Sequence, residues 1–156
     1  MSLSFKFNLV ETSQSEHYHK REVANHCVAG FRSRQGASFR LIELLRAGKF
    51  EIGISVPLAL EYEDVLMRHA TSLGLRRSAV TTIVDYLCAV GKRQSIHFLW
   101  RPLLRDPNDE FVLEVAVAAG CKYIVPHNVR DFAGAERLGV TILRPGQFLR
   151  HLEESL

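Results

Sequence analysis

The chain predicts an α/β fold built on a central parallel sheet of four or five strands. Three observations carry this prediction. Short strand-like segments alternate with amphipathic helices along most of the chain. A nearly all-apolar helix follows Asp106-Pro107 and is therefore expected to be well buried. A short apolar strand, Tyr123-Ile124-Val125, is followed by Asn128 and Asp131, at the sheet edge where parallel α/β folds bind ligands.

Taken in order, residues 5–10 alternate and predict a first strand. Residues 11–22 are polar and form either a loop or an exposed helix start, Val23 to Gly30 is short and mixed, and Gly36 marks a break. Ala37 to Ala47 predicts an amphipathic helix with Leu41, Ile42 and Leu45 on one face and Gly48 just past its end. Phe50 to Ile54 alternates as a strand. Ser55 suits the cap of the next helix, with Pro57 in its first turn and Leu58, Tyr62, Val65 and Leu66 as its apolar stripe. Arg76 to Val90 predicts a helix with Val80, Ile83, Val84 and Leu87 inward. Then follow a strand at Ser95 to Leu99, the buried helix from Pro107 to Ala119, and a strand at Lys122 to Val125. The last strand is expected at Val140 to Leu143 and the last helix at Gly146 to Leu152.

A length of 156 residues predicts a single domain over 1–156, large enough to bury a core without staples. The net charge of +3 is compatible with a nucleic-acid partner without demanding one. No run of about 18 apolar residues predicts a membrane span, and no leader pattern opens the chain, so a cytoplasmic protein is expected. Cys27, Cys88 and Cys121 are odd in number and unrelated in spacing, which reads as free, mostly buried thiols. His17, His19, His26 and Cys27 match no zinc spacing and read as exposed polar residues.

Four residues are candidates for chemistry. Asp106 suits the cap of the apolar helix and Pro107 its first position, which puts Asp109 at the third. Asp109 then either completes a capping-box-like arrangement or serves a site. At about 100° per residue, Glu110 and Glu114 share one polar face while Asp109 turns toward apolar surroundings, where a lone charge is costly. Glu61 flanks the apolar stripe of its helix more closely than Glu63 or Asp64, and is either solvated or directed to a site. Asn128 and Asp131 suit turn chemistry, with Asp131 a possible cap for the segment from Phe132. Carboxylates from several elements would be explained together by a hard divalent cation, which prefers oxygen ligands.

The order and spacing of several blocks resemble the PIN-domain family, in particular the toxin nucleases of toxin–antitoxin pairs (VapC-like). These blocks are Val28 to Ala37, Phe50 to Pro57, Leu60 to Leu66, Arg105 to Asp109 and His127 to Phe132. The resemblance implies a three-layer α/β/α fold in which acidic residues gather around Mg²⁺ or Mn²⁺ for cleavage of RNA. By motif, Glu61 matches the second acid and Asp109 the third, while the fourth falls at Asn128 with Asp131 close behind. The implied metal ligands are Glu61, Asp109 and Asp131.

The chain departs from the family at two points. Pro126 stands where Thr or Ser is usual, and the leading acid of the first strand falls at Val23. Residues 1–22 form a divergent N-terminal segment, in which Glu11 or Glu22 could replace the missing acid. Arg32, Arg34 and Arg130 are either ordinary surface charge or RNA-phosphate contacts. Phe31 and Trp100 read as core or interface residues. The expected function is a metal-dependent ribonuclease acting as the toxin of a bacterial pair, with RNA, a cognate antitoxin protein and a second copy of the chain as partners. The alternative is a catalytically impaired module that binds RNA or protein.

Overall fold

The computed structural model describes residues 7–10, 37–97 and 102–154. The first strand, β1 (Phe7–Val10), lies within the predicted segment. Helix α1 (Ala37–Arg46) ends as the sequence predicts, with Gly48 in the left-handed region at φ 67°. Its N–H donates to the Leu45 carbonyl at 3.0 Å, and the Lys49 N–H donates to the Leu44 carbonyl at 3.0 Å. This Schellman closure satisfies the last carbonyls of the helix.

Strand β2 (Glu51–Ile54) leads into α2 (Val56–His69). Ser55 caps α2, its hydroxyl oxygen accepting the Leu58 N–H at 3.3 Å. Leu58, Tyr62 and Leu66 of the expected stripe are buried and Val65 is half-buried. Helix α3 (Arg77–Val90) buries Val80, Ile83, Val84 and Leu87 as its periodicity requires, and Tyr86 in addition. There follow β3 (Lys92–Arg93), α4 (Pro107–Ala118) and β4 (Tyr123–Val125). Two 3-10 turns (Val129–Phe132 and Ala135–Leu138), β5 (Thr141–Ile142) and α5 (Pro145–Glu154) complete the described chain.

The strands form one five-stranded sheet in the order β3-β2-β1-β4-β5. The expected all-parallel sheet needs correcting. The β2–β3 and β4–β5 pairs are parallel, but β1 runs antiparallel to both β2 and β4. Alternation of apolar residues fixes the face a strand buries but not its direction, and antiparallel ladders are slightly the more stable per residue. Phe7 lies opposite Val125 and Val10 opposite Glu51, so β1 begins where β4 ends and finishes where β2 begins. The other strands share one direction, and their C-terminal ends line a common edge.

The strand expected at Ser95 to Leu99 also needs correcting. The segment pairing with β2 is Lys92–Arg93, directly after α3, and Gln94 extends it by donating its N–H to the Ile54 carbonyl at 2.8 Å. This is an exposed edge strand of two basic residues, so apolar alternation could not mark it. Residues 98 and 99 lie outside the described residues.

Helices cover both faces of the sheet. Helix α4 packs on β1, β2 and β4 and against α2, while α1 packs on α5. Gly53 of β2 faces α4 so closely that an added Cβ would lie 3.0 Å from Val115 Cγ1 and 3.2 Å from Ala119 Cβ. On the other face, Phe50 meets the ring of Phe148 edge-on with centroids 5.6 Å apart, and Tyr123 meets the same ring at 5.5 Å. Leu58, Leu66, Val80, Leu113, Val115, Ile124 and Phe132 are fully enclosed in the core.

Candidate functional site

Helix α4 passes into β4 through residues 119–122, so its last turn lies where β4 begins. Its first turn accordingly lies toward the opposite edge, where β4 delivers Asn128 and Asp131. Local chemistry builds that first turn. The Asp106 carboxylate caps it by accepting the Asn108 N–H at 2.9 Å, and Pro107 occupies the position where a missing N–H is harmless.

Asp109 follows in the same turn and is 1% exposed. That burial sets it apart from exposed Asp106, which caps the same helix. Glu110 and Glu114 correct the sequence analysis, which put both on a polar face. They are 1% and 3% exposed. A single-helix projection assumes one solvated side, whereas α4 is enclosed by the sheet, by α2 and by the segment leading into it. The Glu110 Oε1 accepts N–H groups from Leu103 at 2.6 Å and Leu104 at 2.8 Å. Its Oε2 is buried with no hydrogen-bond partner among the described residues. Sequence reasoning missed Glu110; its one available signal was an acid inside an otherwise apolar helix.

Glu61 lies on α2 with its side chain 25% exposed, against 62% for Asp64, which preserves the order expected from the helical projection. Arg68 bonds Asp64 at 2.7 Å and approaches Glu61 to 3.9 Å. At the end of β4, Asn128 caps the first 3-10 turn, its Oδ1 accepting the Arg130 N–H at 3.3 Å. Its Nδ2 donates to Asp131 Oδ1 at 2.7 Å. The cap is therefore Asn128, and Asp131, expected to cap from Phe132, instead sits inside the turn and receives the amide. Asn is the better cap here because one side chain supplies both the acceptor for the turn and a donor for the neighbouring carboxylate.

Burial lowers the pKa of His127, between buried Pro126 and exposed Asn128, so the imidazole is held neutral. Arg130 is exposed beside this turn, whereas Arg32, Arg34, Val23, Glu11 and Glu22 lie outside the described residues, as do Phe31, Trp100 and the His17–Cys27 cluster. Cys121 is buried and Cys88 half-buried, both free thiols as expected. Burial raises the Cys88 thiol and pushes Cys121 up to about 12.

Among the described residues, no group of three His, Cys, Asp or Glu side chains could hold a metal ion. Glu61, Asp109 and Asp131 lie on three separate elements: α2, the first turn of α4 and the 3-10 turn after β4. A largely apolar cleft of about 460 Å³ lies at the same edge, between the start of α2 and the end of α3. Val56 and Leu60, exposed by 74% and 60%, form part of its lining, with Arg93 and Glu63 as charged members. No helix among the described residues is long and apolar enough to cross a membrane.

Comparison with known proteins agrees with this architecture. No curated protein and no solved structure matches the chain significantly. The family model of the PIN domain matches residues 24–130, well over half of the chain, and this span contains Glu61, Asp109 and Asn128. By that match, the chain belongs to the PIN-domain family, whose function is nuclease-like.

Proposed function

We propose that this chain is a ribonuclease-like PIN module directed at the phosphodiester backbone of RNA, serving as the toxin of a bacterial toxin–antitoxin pair. The observation that supports it best is Asp109, an acid only 1% exposed in the first turn of α4, inside the family-matched span. Its burial argues for a role beyond capping, because an enclosed carboxylate is retained at a cost.

The residues at this edge have distinct tasks in this reading. Glu61 and Asp109 would supply oxygen ligands, and Asn128 or Asp131, held against each other at 2.7 Å, would complete the set. Exposed Arg105 and Arg130 offer guanidinium groups to the phosphates, fixing the register of the RNA without reading its sequence. His127, kept neutral by burial, can accept a hydrogen bond through one ring nitrogen. A bound Mg²⁺ or Mn²⁺ ion would supply charge neutralisation and an acidified water. The exposed Val56 and Leu60 give an antitoxin or a second copy of the chain an apolar surface to cover.

The test is RNA cleavage by the purified protein with Mn²⁺, beside Asp109→Asn. Wild-type cleavage reduced at least about 10–100-fold by the substitution supports the reading. Cleavage left unchanged by Asp109→Asn removes it.

A catalytically impaired module that binds RNA or protein is the second reading. Val23 in place of the leading acid favours it. In that case the wild-type protein binds without cleaving, and Val23→Asp creates or raises Mn²⁺ binding. No gain from Val23→Asp counts against matching that position to the first acid.

A further inference from the structure

Glu110 and Glu114 are buried carboxylates outside the proposed chemistry, and Glu110 has a defined pair of main-chain partners. It sits beside Asp109, at the fourth position of α4, and reaches back six and seven residues to the segment that precedes the helix. There its Oε1 takes two successive main-chain donors, Leu103 N–H at 2.6 Å and Leu104 N–H at 2.8 Å. Two successive main-chain N–H groups thus converge on a single side-chain oxygen. Residues 102–106 are otherwise a run of bends with no helix or strand ladder of their own. The same segment delivers Asp106, whose carboxylate caps α4, and the Asp106 carbonyl accepts the Asp109 N–H at 3.1 Å.

We infer that Glu110 is a positioning residue: its carboxylate fixes the 103–106 segment on the first turn of α4, and thereby sets where Asp109 stands at the candidate site. This deepens the proposed function and rests on it for its catalytic consequence.

Reach and charge can be separated by two substitutions. Glu110→Asp keeps the charge but withdraws the acceptor by one methylene. Glu110→Gln gives up the charge but keeps an acceptor oxygen at full reach. Three readouts apply to each folded variant: amide exchange at Leu103 and Leu104, the side-chain carboxyl carbon resonance of Asp109, and the kcat and KM of Mn²⁺-dependent RNA cleavage. Glu110→Asp is expected to speed exchange at Leu103 and Leu104 by about tenfold beyond the core average. It should also move the Asp109 resonance, and lower kcat by about 10–100-fold with KM unchanged. Glu110→Gln is expected to rescue all three. Protected Leu103 and Leu104 amides in Glu110→Asp, or an unmoved Asp109 resonance, overturn the inference. If the wild type does not cleave RNA, the proposed function has failed, and the exchange and resonance data still decide the role of Glu110.

Discussion

The side-chain amide of Asn128 donates to the carboxylate of Asp131 at 2.7 Å, three residues apart across a single 3-10 turn. The pair replaces two like charges with one charge and a dipole, so it needs no cation to be stable. Asn128→Asp would set two carboxylates side by side, where each raises the pKa of the other unless a cation intervenes. The variant is expected to bind Mn²⁺ at least about tenfold more tightly than the wild type, read by titration calorimetry. Equal affinities would show that position 128 does not face the metal region.

The cap of α4 gives a stability prediction. Asp106→Ala removes the acceptor of the Asn108 N–H and is expected to cost about 1 kcal/mol. For a chain of this size, that lowers Tm by about 2–4 °C in a thermal melt. A Tm within error of the wild type would mean that the first turn is held from elsewhere, with Glu110 the foremost candidate.

Gly53 tests how tightly α4 lies on the sheet. A Cβ there would already be 3.0 Å from Val115, 3.2 Å from Ala119 and 3.3 Å from Cys121. Gly53→Val adds two more methyl groups to that space and should destabilise by about 1–3 kcal/mol in denaturant unfolding. A neutral result would mean that α4 lifts from β2 more readily than its packing indicates.

The thiols give a pH-dependent prediction. With a pKa near 12, Cys121 carries almost no thiolate at pH 8, and its burial blocks access as well. Raising the pH toward 12 increases the thiolate, so reactivity should climb with pH rather than level off near 9. Alkylation of the folded protein at pH 8, mapped by mass spectrometry, should modify Cys88 well before Cys121. Prompt modification of Cys121 would contradict its enclosure.

Much of the fold was legible because several helices announce themselves locally. Leu41 and Leu45, the Ser55 cap with Pro57, and the inward face from Val80 to Leu87 all lie where periodicity and capping rules put them. What stayed hidden depends on contacts distant in sequence. The direction of β1 has no local signature, since Phe7-Asn8-Leu9-Val10 alternates alike whichever way it pairs. Lys92-Arg93 has no apolar signal at all, because an edge strand needs none. At the site, the sequence ranked Glu61 as less solvated than Asp64, and the structure agrees; it also set Asp109 apart from Glu110 and Glu114, yet all three are buried. It could not foresee the burial of Glu110, which depends on a loop folding back.

The strand order makes β1 a keystone. Among the described residues, the β3–β2 ribbon and the β4–β5 ribbon share no main-chain hydrogen bonds with each other; both are laced to Phe7–Val10. Removing that one segment would leave, among the described residues, two short ribbons bridged only by helix packing from α4 and α5, each presenting a raw inner edge to any strand that came by. A chain shortened past Val10 should thus keep much of its helical signal while becoming prone to self-association. The family-matched span beginning at residue 24 would then lack the piece that closes its own sheet.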